Sequence, residues 1–515
     1  MTSTIDSPTQ STHDVGPPHR RTGRWIDEWD PENPAFWDAT GRTVARRNLI
    51  WSVFGEHLGF SVWLLWSAAA AMLAKVGFGF SPQQLFWLVA VPNLVGSLLR
   101  LPYTFAVPKF GGRNWAVFSA LMLVVPTLLF AHFVQRPDTP YWVFIVIAAT
   151  AGVGGGNFAS SMASINFFYP MRHKGAALGL NAAGGNLGVS VIQFFLPIIV
   201  GGAGAFGLVK ASQEGIVLQR VGYLYAALAV VAAVAAYFFM NNLATAYSRP
   251  RQQLAVVRDR HTWIMSFLYI GTFGSFIGYS AAMPLLIKIN FFNQPLPQVP
   301  GIGINFAYYA FLGALVGSFT RPLGGWLADR FGGARVTLAT FVAMIVGTLG
   351  ILAALSRLHP VPKPAADAPA PDPATFEYSA AVRAAVEHNE GVFVWFLLAF
   401  LFVFAATGIG NGSTYRMIPL IRRQRAVVGT AEGAERDAAV AASTKEASAV
   451  IGIAGAVGAL GGFLIPITFS APWVADPVSA TRTAFWIFAG FYVVCLAVTW
   501  ATYLRKGSEM AKAGV

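Results

Sequence analysis

Cysteine is nearly absent from this chain, since Cys495 is the single one among 515 residues. One thiol excludes a disulfide framework and a thiol-rich metal site. Charged residues are also scarce, at 11% against the quarter that is usual in soluble domains, which excludes an ordinary globular enzyme. Aromatic residues at 14% and long apolar runs exclude a disordered chain. With a mean hydropathy of +0.55, this composition predicts an all-α, polytopic membrane protein.

Twelve apolar segments approach or exceed the ~20 residues that cross a bilayer as a helix. They are 48–74, 82–108, 114–135, 141–170, 175–201, 221–241, 262–287, 302–328, 335–356, 391–420, 447–470 and 481–504. Most of the 36 lysines and arginines lie in the two tails and the even-numbered loops, so the positive-inside rule predicts that both termini are cytoplasmic. The net charge of +13 is then a sign of topology, and we expect a lipid bilayer and no nucleic acid as partner.

The tails and one insertion divide the chain. We expect a cytoplasmic N-terminal tail, a six-helix half, a cytoplasmic loop, a second six-helix half and a cytoplasmic C-terminal tail, over 1–47, 48–241, 242–261, 262–504 and 505–515. Residues 357–390 are rich in proline and alanine, which predicts an extended external linker. No apolar core follows within the first 30 residues, so we expect no cleavable signal peptide.

An internal repeat relates the two halves. Arg100 is followed nine residues later by Lys109 and then by Phe-Gly-Gly, and Arg321 is followed in the same way by Arg330 and Phe-Gly-Gly. Gly152-Val-Gly-Gly-Gly156 likewise matches Gly408-Ile-Gly-Asn-Gly412, with an extra offset about as long as the proline-rich insertion. Two six-helix halves of the same topology are the expected product.

The deep ionisable residues are Arg100, Arg321 and, nearer the inside, Glu56 with His57. Such residues are costly within a membrane and usually functional. Each arginine lies nine residues, roughly 13 Å, from a cytoplasmic loop, close to the midplane. The repeat predicts that the two guanidinium groups face each other, and no carboxylate lies at matching depth. Their forked donors suit a small planar oxyanion, although both could instead be structural clamps on backbone carbonyls.

One loop motif resembles that of the major facilitator superfamily between helices 8 and 9. It runs from Gly325 through Asp329, Arg330 and Gly332 to Arg335, whereas the equivalent loop after helix 2 lacks the aspartate. The resemblance implies the major facilitator fold, with twelve transmembrane helices in two six-helix halves. We expect Asp329 to pair with an arginine or cap a helix end and so to stabilise one conformation.

Within that superfamily, three stretches resemble the nitrate/nitrite porter family: Gly156–Met162, Ala177–Gly188 and Gly408–Thr414. The resemblance implies nitrate and nitrite as substrates and a plasma (inner) membrane location, and it places Phe60, Phe158 and Tyr279 in the walls of the pocket. For Phe60 and Phe158, simple packing is the alternative. We expect a neutral hydrogen bond from Asn186. Close helix packing is expected at Gly184, Gly188, Gly458 and Gly462.

The function that we predict is alternating-access transport, with nitrate uptake coupled to protons by Glu56 and His57. The resemblance implies apolar residues at this part of helix 1 in pure exchangers. The alternatives are that Glu56 reaches interfacial water or pairs with Arg46, Arg47 or an arginine in a loop. Nitrate/nitrite antiport that exports nitrite is the second functional prediction. A passive anion channel, a nitrate sensor or another small oxyanion such as formate is more remote.

No cluster of His, Cys or carboxylate side chains has metal-ligand or nucleophile spacing. We therefore expect no enzymatic activity, no metal and no cofactor. We also expect a monomer.

Overall fold

The computed structural model describes residues 24–212, 215–246, 255–295, 299–362, 372, 375–427, 433–471 and 476–507. Their helices, numbered in chain order, are α1 Pro34–Val76, α2 Pro82–Phe110, α3 Gly112–Phe133, α4 Tyr141–Phe168, α5 Met171–Ile199, α6 Gln219–Phe239, α7 Arg260–Phe291, α8 Ala310–Phe331, α9 Gly333–Leu355, α10 Ala380–Val427, α11 (Ala434–Ala459 and Gly461–Phe469) and α12 Pro477–Leu504. Short 3-10 turns lie at Ala205–Gly207, Ala244–Ala246, Ala255–Arg258 and Phe306–Tyr308.

Eleven of these helices are long and apolar enough to cross a membrane. The exception, α8, has 22 residues, but its glycines and Arg321 lower its mean hydropathy. The all-α membrane class that the composition predicts is therefore confirmed. Each predicted apolar segment corresponds to one of the described helices.

The start of α1 differs from the prediction, because helix begins at Pro34 and not at 48. The side chain of Asn33 accepts hydrogen bonds from the backbone of Ala35 and Phe36, and Pro34 occupies the first helical position, where its missing N–H costs nothing. A polar helix end of this kind extends beyond the apolar segment, so hydropathy does not reveal it. Residues 1–23 of the predicted tail lie outside the described residues.

The external linker is also shorter than predicted. Residues 380–390, which we expect to be extended, are the first turns of α10. Asn389 on these turns accepts from the backbone N–H of His359 (2.8 Å) and donates to its carbonyl (3.0 Å), so the end of α9 is tied to α10. The proline-rich run at 363–371 lies outside the described residues.

Four short strands form two small sheets. β1 Trp25–Ile26 pairs in parallel with β2 Asn242–Leu243, which follows α6. β3 Phe292–Asn293 and β4 Ile302–Gly303 form an antiparallel pair after α7. This second pair occupies the start of the predicted segment 302–328, and α8 therefore begins only at Ala310.

The internal repeat is visible in the backbone. Gly111 ends α2 with φ 87° and ψ 146°, and Gly332 ends α8 with φ 89° and ψ 133°. A positive φ is strained for residues with a Cβ, which explains why the Phe-Gly-Gly sequence recurs at both turns. We call the end of the molecule that carries these two turns the basic end, and the other the opposite end.

The halves α1–α6 and α7–α12 meet through α1 with α7, α2 with α11, and α5 with α8. Towards the opposite end, side chains of one half bond to carbonyls of the other. Lys288 donates to Ala71 (2.7 Å), Gln193 to Ser280 (2.6 Å) and Ser190 to Phe311 (3.1 Å). These bonds hold the opposite end closed.

Candidate functional site

Arg100 lies in the middle of α2 and is fully buried between the halves. Its Nε donates to the carbonyl of Gly155 on α4 (3.0 Å), and its Nη1 donates to that of Gly455 on α11 (2.8 Å). Its Nη2 is buried and has no hydrogen-bond partner among the described residues. Two carbonyls thus fix the guanidinium group, while one nitrogen keeps its donors available.

Arg321 occupies the equivalent place on α8, with 6% of its surface exposed. Within the described part of the chain, its Nη1 has no partner, and neither arginine has a carboxylate within 4 Å. The guanidinium carbons of Arg100 and Arg321 lie 4.7 and 5.6 Å from the centre of the Phe158 ring. The fold therefore brings the two sequence-predicted arginines together at one aromatic ring.

Further rings complete the surroundings of the two cations. Phe158 lies between Phe60 and Phe273, with ring centres 6.1 and 6.0 Å away. Phe273 and Trp63 also approach Arg100, at 4.9 and 5.2 Å, and Tyr415 lies 5.6 Å from Arg321. Aromatic faces carry partial negative charge, so this arrangement compensates part of the cost of burying two cations.

Tyr279, whose place in the pocket wall stays a prediction, lies apart from these rings in this structure. Its hydroxyl lies 2.6 Å from that of Tyr492, and its ring packs on Phe400 and Phe485 inside the second half. The reason is helical geometry. Tyr279 follows Phe273 by six residues on α7, which places it more than a turn closer to the opposite end.

Phe273 is a site residue that the sequence prediction misses, although a second repeat in the sequence points to it. Ser67-Ala-Ala on α1 recurs as Ser280-Ala-Ala on α7, and aligning the two pairs Phe60 with Phe273 and Trp66 with Tyr279. Phe273 also lies in a π-helical turn, Ile270–Gly274, which widens α7 next to Arg100. Such turns occur often at functional sites.

Glu56 is buried on α1. One carboxylate oxygen accepts hydrogen bonds from the hydroxyl of Ser161 and from Asn181 Nδ2 (2.5 Å), and the other has no partner among the described residues. Arg47, a partner we considered for it, instead donates to Asn241 (2.8 Å). The neighbouring His57 has its Nδ1 3.0 Å from the carbonyl of Gly184. The structure thus isolates Glu56 from the surface arginines.

Asn186 is fully buried on α5. Neither atom of its side-chain amide has a hydrogen-bond partner in the described ranges. Its amide is therefore available for a polar ligand, while none of its described contacts links it to the two arginines.

A cavity of about 60 Å³ connects Arg100 with the basic end. We call it the anion cavity. Besides Arg100 and Phe158, its lining includes Thr104 and Pro108 on α2, Asn166 on α4 and Ser448 on α11. Because Pro108 and Asn166 lie near the last turns of their helices, the cavity leads away from the closed end.

The loop motif forms an ion pair. Asp329 accepts from Nε of Arg416 on α10 at 2.5 Å, as we expect for a pairing with a nearby arginine. Arg330 lies over the ring of Trp326, and Gly332 adopts the positive φ that ends α8. At Gly325 a Cβ would meet no atom within 4 Å.

The four glycines predicted for helix packing all lie against a neighbouring helix. A Cβ at Gly458 would overlap the ring of Tyr269, and one at Gly462 would lie 2.7 Å from Ile277. At Gly188 the obstacle is the backbone of His57, and at Gly184 it is Val53. The close approach of α5 to α1 and of α11 to α7 therefore requires small residues. The described residues contain no group of three or more metal-ligating side chains.

These features define a class of protein: a helical membrane carrier with a cationic binding site between two repeated halves. The sequence profile of the Major Facilitator Superfamily matches residues 58–361. The chain is 38% identical over 489 residues to the nitrate/nitrite transporter NarU of Escherichia coli (strain K12), covering 93% of this chain and 96% of that protein. It is 34% identical over 499 residues to the probable nitrate/nitrite antiporter NarK2 of Thermus thermophilus, covering 95% and 98%.

Among solved structures, the D-xylose-proton symporter has the same fold, with a TM-score of 0.58 at 13% identity over 90% of this chain and 98% of that one. The chain belongs to the nitrate/nitrite porter family of the Major Facilitator Superfamily.

Proposed function

We propose that this protein carries nitrate and nitrite across the membrane by alternating access. One observation carries the proposal: two buried guanidinium groups, one from each half, flank Phe158 without a carboxylate partner among the described residues. Two confined positive charges favour an anion, and the names of the similar proteins supply its chemical class.

The geometry suits a small planar oxyanion. Arg100 Nη2 and Arg321 Nη1 both retain unused N–H donors. Charge-assisted hydrogen bonds from two guanidinium groups would hold the oxygens, while the Phe158 ring supplies a flat, apolar surface beside them. Both guanidinium groups are buried, and a low-dielectric environment strengthens each of these bonds.

Alternating access follows from the position of the arginines, because each belongs to a different half. Without an anion their charges repel, and a bound anion removes that repulsion and permits the halves to close. We propose that the basic end faces the cytoplasm, in keeping with the distribution of lysine and arginine. The anion cavity would then be the inward exit. Because one chain supplies both halves of the site, we propose a monomer that acts without enzymatic chemistry in the plasma membrane.

We propose that nitrate uptake is coupled to protons through Glu56, with His57 beside it. The carboxyl is buried on α1, and the charges of Arg321 and Arg100 act on it. Its protonation therefore changes the charge that an incoming anion meets. A proton and an anion that bind together also cross as a neutral pair, which lowers the cost of the passage through a low-dielectric interior.

Nitrate/nitrite antiport is the second candidate. It is favoured by the similarity to NarK2 of Thermus thermophilus, a probable nitrate/nitrite antiporter. In that mechanism Glu56 would be a structural residue, held by Ser161 and Asn181.

Transport into proteoliposomes distinguishes the two mechanisms. For symport, we expect labelled nitrate to accumulate when the exterior is acidic, and not when nitrite is merely preloaded without a pH gradient or membrane potential. Glu56→Gln should abolish the pH-driven uptake and spare nitrate–nitrate exchange, whereas the exposed Asp138→Asn is the matched control. Rapid accumulation with preloaded nitrite alone would establish antiport instead.

A further inference from the structure

Helix α4 has two faces with different neighbours. On one face, Phe158, Met162 and Asn166 line the anion cavity. On the other, Asn157, Ser160, Ser161 and Ser164 recur at the spacing i, i+3, i+4 and i+7, which forms a continuous polar stripe along a helix. Because serines also serve close packing of membrane helices, the neighbours of this stripe decide its role.

The stripe faces a second cavity, of about 30 Å³, which lies wholly within the first half. Glu56 lines one part of it. Gly112, the first residue of α3, and Met240, immediately after α6, line another part at the basic end. We call it the inner-half cavity. It therefore extends from the carboxyl of Glu56 towards the same end of the molecule as the anion cavity, on the other side of α4.

Five buried polar atoms around this cavity have no hydrogen-bond partner among the described residues. They are Glu56 Oε1, Asn157 Oδ1, Ser164 Oγ, Ser119 Oγ and Trp115 Nε1. An unsatisfied buried polar atom costs about 1–3 kcal/mol, so five around one small space are explained only if something polar satisfies them. A water molecule requires roughly 10–15 Å³, and the cavity can therefore hold one or two.

We propose that the inner-half cavity is hydrated and conducts the proton between Glu56 and the basic end, separately from the anion. The O–H bond of the Glu56 carboxyl breaks, the proton passes to cavity water, and the carboxylate left behind keeps its bonds from Ser161 and Asn181. This inference rests on the proposed coupling through Glu56 and adds the route.

Charge explains why two routes are needed. A hydronium ion in the anion cavity would meet Arg100, and Arg321 lies against the same Phe158 ring. The residues around the inner-half cavity include neither lysine nor arginine. The charged or titratable groups that act on Glu56 are Arg321 and Arg100 from the far side of α4, His57 on its own helix, and Tyr415. Like charges repel strongly in a low-dielectric interior, so the proton and the anion take opposite faces of α4.

Filling the cavity tests the route without touching Glu56. Ser164→Val should remove one polar atom, occupy part of the space and slow pH-driven nitrate uptake several-fold, while nitrate–nitrate exchange stays at the wild-type rate. Exchange needs no release of the proton and also reports that the variant is folded. Thr127→Val is the matched control, since this buried hydroxyl on α3 bonds to the carbonyl of Leu123 (2.9 Å) and lies outside the cavity lining.

Infrared spectroscopy measures the route directly. The carboxylic C=O band of Glu56, assigned by its loss in Glu56→Gln, shifts when the proton is replaced by deuterium. After transfer to D₂O, we expect this replacement to be slower in Ser164→Val and unchanged in Thr127→Val. Saturating nitrate should not block this exchange in the wild type, because nitrate occupies only the anion cavity.

The outcomes separate the route from the coupling. If Glu56→Gln keeps pH-driven uptake, the proposed coupling is wrong, and the route falls with it. If Glu56→Gln loses that uptake while Ser164→Val matches wild type in both uptake and deuterium exchange, the coupling stands and the separate route is refuted. Deuterium exchange that nitrate blocks would also refute the route, since the proton would then share the anion cavity.

Discussion

The ring of Phe158 lies close to both guanidinium groups. The residue lies on α4, and its ring faces Arg100 of the same half and Arg321 of the other. Any movement of the halves relative to each other must therefore change the contact of at least one guanidinium group with this ring. We therefore expect the anion to contact this ring both when the site is open to one side of the membrane and when it is open to the other.

Replacing a guanidinium group, which has forked N–H donors, by an ammonium group should abolish most transport. We expect Arg321→Lys to weaken nitrate binding roughly 10–100-fold, because a charge-assisted hydrogen bond worth about 1.5–3 kcal/mol loses its geometry while the charge remains. Nitrate binding to the purified protein, measured by calorimetry, is the test.

The matched control is Arg335→Lys, an exposed arginine near the start of α9. It should bind nitrate like the wild type. Wild-type affinity in Arg321→Lys would show that positive charge alone is enough and that the forked donors have no role.

At the scale of elements, Asp259 joins two helices at the basic end of the second half. It precedes α7 and forms ion pairs with Arg422 of α10, at 2.7 Å, and with Arg425. Burial opposes its ionisation, but the backbone N–H of His261 and the two arginines outweigh that effect and hold the pKa of Asp259 below its ordinary value. These contacts join the start of α7 to the end of α10.

The sign of the pH dependence follows from that lowered pKa. A carboxyl group whose pKa is lower in the folded protein stabilises it fully above its ordinary pKa, and this contribution disappears as the pH falls through the lowered value. We expect Asp259→Asn to lower the unfolding temperature at neutral pH and to match the wild type in acid.

Thermal unfolding in detergent over that pH range measures the effect. Asp138→Asn, in an exposed turn after α3, is the control, and it should follow the wild type at every pH. A difference for Asp259→Asn that stays constant into acid would mean that the charge of Asp259 is unimportant.

At the scale of the whole molecule, a few hydrogen bonds decide which end is closed. Lys288 near the end of α7 donates to the carbonyl of Ala71 on α1, across the boundary of the halves. Gln193 and Ser190 make similar bonds from α5 to α7 and α8. In the described part of the chain, Lys288 has no carboxylate partner. When the opposite end is closed, its ammonium group therefore bonds to the carbonyl of Ala71 instead.

Removing this donor should open the opposite end. In Lys288→Met, the loss of a charged hydrogen bond worth about 1.5–3 kcal/mol should shift the equilibrium roughly tenfold or more towards the state open there. Spin labels at Gly79→Cys and Arg357→Cys, on the two halves, would report a larger share of long distances.

Lys210→Met provides the comparison, since Lys210 is an exposed lysine in the segment after α5 at the same end of the molecule. The native Cys495 is buried, which leaves the two introduced thiols for labelling. An unchanged distance distribution in Lys288→Met would mean that the other cross-half contacts hold this end closed without it.

The composition, the apolar segments and the repeat determine the class of fold, because a bilayer admits few other arrangements of such a chain. Arg100 and Arg321 were also predictable, since a charged residue at the membrane midplane is costly and is usually functional. The starts of α1 at Pro34 and of α10 at Ala380 were not predictable, because polar helix ends carry no hydropathy signal.

Only the tertiary structure decided which rings meet the arginines and which polar groups share a cavity. Tyr279 and Phe273 lie six residues apart on α7 with similar chemistry, yet the packing of α7 on α10 and α12 directs the first to Tyr492 and leaves the second at Arg100. Helix packing, which depends on contacts far apart in the chain, also decides that the serine stripe of α4 and its face with Phe158 line different cavities.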